Sequence, residues 1–147
     1  MRITYEHEIL KPPEIVFPWI AEPEKAMKWQ KNVKGGEIII SKPEVVGTTF
    51  TEIIEEDGNR LEMHGIITKY IKDKIIGLHL KSRIHEFEVS YSLAEINKAT
   101  KISIEATIKW KFPMNIASLF IGSRMKAGLI KQLELETLDL KRLCETN

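Results

Sequence analysis

Cysteine is almost missing from this chain of 147 residues: Cys144 stands alone, so no internal disulfide and no cysteine-based metal site can form. No stretch approaches the roughly 20 apolar residues of a membrane-spanning helix. The opening residues, MRITYEHEIL, carry charges where a secretory leader needs an apolar run, so no leader is read. A reducing cytoplasm is the expected address. No basic block exists either. Lys and Arg total 22 against 21 Asp and Glu, a net charge of +1, and the two signs are interspersed. That balance argues against a nucleic-acid partner. The chain also lacks a dinucleotide fingerprint, a phosphate-cradling glycine loop and a nucleophile elbow. No two of its four histidines have the i, i+4 spacing of a helical zinc site. Neither a cofactor nor a metal is expected.

What remains is ordinary globular material, 43% apolar and 29% charged, without repeats, linkers or low-complexity stretches. The expectation is one domain over residues 1–147. A chain of this length buries about 68–70% of its unfolded surface and needs no staples to fold. Ile3, Tyr5, His7 and Ile9 alternate with polar residues, the period of a half-buried strand. Pro12 and Pro13 end it, and two short helices follow, over residues 14–20 and 24–30, with Pro18 predicting a kink in the first. Gly35-Gly36 precede the run Ile38–Ile40. Strand signals continue over residues 48–55, 61–71, 75–80, 86–93 and 102–110. Turn cues at Pro43 and Gly47, Asp57-Gly58, Asp73 and Asn97 separate them. After Pro113 the period changes. Met125, Leu129, Leu133, Leu140 and Leu143 recur at helical spacing, with Glu134, Glu136 and other polar residues between, predicting a helix over residues 115–144.

The class is therefore α+β: about seven antiparallel strands, two short helices after the first, and one long C-terminal helix. A helix with its side chains is roughly 10–12 Å wide, whereas seven strands at about 4.8 Å span more than 30 Å. A flat sheet would leave much of its apolar face bare, so the sheet must curl around the helix. A curled sheet with one helix seldom fills its own interior, and a cavity is expected.

This order of elements, together with several local strings, resembles the helix-grip superfamily of START-related and birch-pollen-allergen-like proteins (SRPBCC), in particular its polyketide cyclase/dehydrase branch. PPEIVFPWI at residues 12–20 is similar to the family's Ala-Pro-x-Glu-x-Val-Trp opening. PEKAMKWQKNV at 23–33 is similar to its Asp-Pro-Glu, Trp and Val stretch. VGTTF at 46–50 resembles the glycine that begins the third strand, and VSYSL at 89–93 with Thr100 resembles a Tyr-x-Leu to Gly-Thr hairpin. Lys11, Glu22 and Ala99 depart from the pattern at surface or turn positions. The resemblance implies a pocket for a lipid, polyketide, isoprenoid-like or other small apolar molecule between sheet and helix. It covers carriers and enzymes alike.

Strand parity and the helix stripe nominate Tyr5, Met63, Phe87, Val89, Tyr91, Ile104, Met125, Leu129 and Leu133 as ligand contacts, or else as plain core. Methionine adapts to irregular shapes and tyrosine brings one polar tip to an apolar wall. Gly122 and Gly128 inside the long helix read either as close helix–strand packing or as room at the pocket with a loosened helix start. Met114, Ile116, Phe120 and Ile121 make the first half of that helix apolar nearly all round, as pocket rim, dimer face or lipid-contact patch. Candidates for proton chemistry are His7, Tyr91 and Glu52. His7 and Glu52 also read as rim residues, and Glu52 as a residue of reversed parity; if it points inward, its partner is His7 or Arg83. His64 should face solvent, and His79 and His85 are open. Most other strand carboxylates (Glu6, Glu8, Glu62, Glu86, Glu88 and Glu105) fall on the polar parity, so no two acids are expected to converge. The first expectation is a carrier of a small apolar molecule, as monomer or homodimer, with transient membrane contact at most. The second is a cyclase/dehydrase-like enzyme, and the third a stress or co-chaperone type interaction module.

Overall fold

The computed structural model describes residues 1–56 and 58–146. β1 (Arg2–Ile9) leads into α1 (Pro13–Ala21) and α2 (Pro23–Ala26). Six strands follow: β2 (Val33–Ile40), β3 (Thr49–Glu56), β4 (Asn59–Ile71), β5 (Ile75–Lys81), β6 (His85–Ile96) and β7 (Ala99–Trp110). α3 (Met114–Thr146) closes the chain. The seven strands form one antiparallel sheet in the order β1-β7-β6-β5-β4-β3-β2. It is the curved α+β architecture that the geometric mismatch predicts.

Local chemistry explains the details. Asn97 and Lys98 both have positive φ (51° and 68°) and connect β6 to β7 in the two-residue turn that matches strand twist. Asp73 and Gly47 also sit at positive φ, at two of the predicted turns, and so does Gly58. Asp57, the other half of that hairpin cue, lies outside the described residues. Register shifts between Val33 and Gly35, Ile38 and Ile40, and Ile67 and Lys69 interrupt the ladders. Such bulges bend a strand and increase its twist, which helps the β2–β4 side wrap inward. At Gly65 a Cβ would lie 2.3 Å from the Phe50 ring, so the missing side chain is what lets Phe50 lie across β4.

α1 takes in Pro18 without interruption, which removes only one helical hydrogen bond in so short a segment. One expectation about the short helices needs correction. α2 ends at Ala26 instead of running to residue 30. The chain turns there so that Trp29 can enter the core, where it is fully buried and its Nε1 donates to the Trp19 carbonyl at 2.7 Å. β2 also begins earlier than the Ile38–Ile40 run and takes in Gly35-Gly36.

α3 is asymmetric in its placement. Its principal contacts are with β1, β7 and α1, at one side of the sheet. Its buried residues are Glu136, Thr137, Leu140 and Cys144, all in the second half. Two long-range hydrogen bonds fasten that half: Lys31 N donates to Glu136 Oε2 at 2.8 Å and Leu10 N to Glu145 Oε2 at 2.8 Å, while within the helix Lys141 pairs with Glu145. None of the residues from Met114 to Lys131 is buried. Leu119 and Phe120 are each 82% exposed.

Candidate functional site

Because α3 lies toward the β1 and β7 side, the concave face of β3 to β6 looks across open volume instead of onto the helix. The result is a cavity of about 320 Å3, at the small end of the roughly 300–1,000 Å3 typical of ligand pockets. Its wall is built by strand parity. Ile104, Ala106 and Ile108 come from β7, Phe87, Val89 and Tyr91 from β6, and Leu78 and Leu80 from β5. Leu61 and Met63 come from β4, and Glu52 and Ile54 from β3. Trp29, Gln30, Asn32 and Val33 close one side, and Leu129, Gln132, Leu133 and Glu136 of α3 close another.

Met63, Phe87, Val89, Tyr91, Ile104, Leu129 and Leu133 line this cavity, and Tyr5 and Met125 do not. Tyr5 stands where the anchored half of α3 presses on β1, its hydroxyl 3.5 Å from that of Thr137. Met125 is half-buried, in the half of the helix where no residue is fully buried. His7 is likewise away from the cavity. Its ring stacks on Tyr5 at 6.2 Å, and its Nε2 is buried without a partner among the described residues. Burial, and secondarily Lys141, lower its pKa against the opposing pull of Glu145.

Glu52 points inward, contrary to the expectation of a rim or reversed-parity residue. Phe50 and Ile54, of the same parity, pack against the core. Its foreseen partners are elsewhere: His7 is on β1, and Arg83 lies in a separate basic depression with Lys81 and Lys111. Burial raises the Glu52 carboxyl pKa. Nor do the acids stay apart. Glu136, read as a solvent-side spacer between leucines, is only 6% exposed and lines the same cavity. Burial raises its pKa most, while the hydrogen bonds from Lys31 N and the Gln132 side chain and the charge of Lys31 act in the opposite direction. The signal was present in the spacing. Glu136 is three residues after Leu133 and four before Leu140, which places it on the apolar stripe.

Tyr91 joins the two acids electrostatically. Its hydroxyl pKa is raised, first by burial, then by the charges of Glu136 and Glu52, and it hydrogen-bonds the Gln30 side chain. The ring meets Trp29 edge-on at 6.3 Å. His85 also lines the cavity, flanked by the rings of Phe87 at 5.4 Å and Trp110 at 5.0 Å. Its Nδ1 is 2.7 Å from the Ser82 hydroxyl, and burial is the main cause that lowers its pKa. His64 faces solvent as expected, and His79 holds Glu86 at 2.6 Å outside the cavity. Among the described residues no group of three or more His, Cys, Asp and Glu side chains could hold a metal ion. No described helix is long and apolar enough to cross a membrane.

The helix glycines are also settled by geometry. A Cβ at Gly128 would meet nothing within 4 Å, and one at Gly122 only Met1 Cε at 4.0 Å. Close helix–strand packing does not explain either one.

No family model and no curated protein matches the chain. Solved structures do resemble it. The protein TTHA0849 from Thermus thermophilus superposes with a TM-score of 0.82 at 13% identity, over 99% of this chain and 98% of that one. A START superfamily protein from Mycobacterium smegmatis gives 0.68 at 13% identity, over 93% and 98%. Ara h 8.0201 gives 0.68 at 15% identity, over 100% of both chains. The fold is the helix grip expected from the sequence. At these identities the likeness carries the fold and nothing finer.

Proposed function

We propose that the protein binds a small, mainly apolar molecule in the cavity between the curved sheet and the second half of α3. One observation carries this reading: about 320 Å3 of interior, walled by aliphatic and aromatic side chains from all seven strands and the helix, that the chain's own side chains do not fill. Native interiors are close-packed, with few voids larger than a water molecule. A few polar groups on an otherwise apolar wall match the usual composition of a ligand site. Native mass spectrometry of the purified protein, followed by solvent extraction, tests the reading. A stoichiometric adduct that extracts as one apolar compound is expected. A bare chain that also fails to bind any apolar probe would refute it.

A second reading, proton transfer of the cyclase/dehydrase kind, is favoured by one observation, the shared cavity of Glu52, Glu136 and Tyr91. Two carboxyl groups shifted toward neutrality beside a phenol are the raw material of acid–base chemistry. It predicts that the extracted compound changes on incubation with the protein and survives incubation with Glu52→Gln. An interaction module with a filled core, the third possibility, has no support in an interior of this kind.

A further inference from the structure

The polar groups in the cavity wall are one-sided in their chemistry. The ionisable side chains that line it are Glu52, His85, Tyr91 and Glu136, and no lysine or arginine does so among the described residues. Lys31, whose charge acts on Glu136, does not line the cavity, and its amine pairs with Asp139 at 3.8 Å. An apolar acid or phosphate ester entering this space would bury its anion beside two carboxyl groups with no lysine or arginine in the wall to answer it, and like charges at short range in a dry site repel strongly.

Glu136 has its needs met within the fold. It accepts from Lys31 N at 2.8 Å and from the Gln132 side chain. Glu52 differs: no hydrogen bond or ion pair holds its carboxyl among the described residues, although it sits on the cavity wall between Phe50 and Ile54. Tyr91 feels both carboxyl charges and is itself tied to Gln30. One region of the wall thus gathers two carboxyls, a phenol oxygen and two amide side chains, Gln30 and Gln132, while the remainder is aliphatic and aromatic apart from Asn32 and His85.

From this arrangement we infer that the ligand is an apolar amine: a hydrocarbon or aromatic body with one protonated nitrogen, seated on Glu52 beside Tyr91 and Glu136. An ammonium supplies the N–H donors that Glu52 lacks and offsets the paired negative charge, and the body fills the hydrocarbon wall. A neutral alcohol satisfies only the hydrogen bonding, and a carboxylate satisfies neither. The inference rests on the ligand-binding reading above and narrows it to one chemical class.

Three probes of one body size test it: octylamine, octanol and octanoate, titrated separately by calorimetry into the full chain at neutral pH. Octylamine is expected to bind roughly tenfold or more tightly than octanol, the scale of one hydrogen bond to a charged group, with octanoate weakest. In Glu52→Gln, which keeps the shape and removes the charge, the ratio of octylamine to octanol affinity should fall to about one, on the same reasoning. Octanoate binding as well as octylamine, or a ratio unchanged in Glu52→Gln, would overturn the amine assignment and leave the cavity reading standing. Failure of all three probes to bind would overturn both.

Discussion

The two halves of α3 have similar lengths and very different surroundings. From Leu133 onward the helix is part of the core: Leu140 and Cys144 are fully buried, Thr137 is sealed against β1, and Glu136 and Glu145 cap backbone N–H groups of other segments. From Met114 to Lys131 no residue is buried, and Leu119 and Phe120 stand in solvent. The difference shows where this fold concentrates its packing. The second half holds the sheet in its curve, and the first half leaves the concave face uncovered, so the cavity exists because the grip is partial.

The largest expected contrast is between core truncations in the two halves. Leu140→Ala should cost about 2–5 kcal/mol, the range for a buried leucine, whereas Leu119→Ala should change stability by less than about 0.5 kcal/mol, as exposed substitutions do. Urea denaturation of both variants checks this, and equal losses would break the comparison. Next in size is Gly128→Ala. With open space around the new methyl, it should stabilise by up to about 1 kcal/mol through helix propensity. The same variant should slow amide exchange across residues 114–128 and leave 133–144 unchanged.

The cavity acids sharpen the contrast through pH. Burial raises the carboxyl pKa of Glu52 above its unfolded value. Between those two values the folded state binds more protons than the unfolded state, so stability falls as pH rises through that window and stays lower above it. Glu52→Gln removes the loss. Its melting temperature relative to wild type should therefore be higher at pH 7 than at pH 4, where both forms of the wild-type site are largely protonated. His85 acts in the opposite sense. Its pKa is lowered mainly by burial, so the stability tied to its neutral form is present above the unfolded value and is lost as pH falls through the folded one. The smallest effect should come from Phe120→Ser, on the free half: a change within about 0.5 kcal/mol at either pH.

Much of this was legible in the residues. Clean alternation in Phe87–Val89–Tyr91 and Ile102–Ile104–Ile108 identified the strands and their inward faces, because a one-residue slip would move every apolar side chain to water. The ratio of one helix to seven strands predicts a cavity, because one helix is too narrow to cover so wide a sheet. The failures have a common cause. Whether Glu52 and Glu136 face inward depends on where α3 lies across the sheet, and local periodicity is blind to that. Glu136 looked like a spacer since a carboxylate on an apolar stripe is costly unless something answers it, and its answer, Lys31 N, comes from a segment 105 residues away. His7 had the right parity for the cavity, but the strand that carries it is the one the helix covers. For the first half of α3, apolar nearly all round, the spacing leaves pocket rim, dimer face and lipid-contact patch all open.

Titration of N-phenyl-1-naphthylamine, a fluorescent apolar probe, into wild type and Ala106→Phe tests the partial grip most directly. Ala106 lines the cavity from the middle of β7, and a phenyl group there should occupy the space that the helix leaves. Saturable fluorescence enhancement in wild type, lost in Ala106→Phe while its melting temperature stays at or above that of wild type, is the predicted result. Undiminished probe binding in Ala106→Phe, or a collapse in its stability, would mean that the volume beside β7 is not the site.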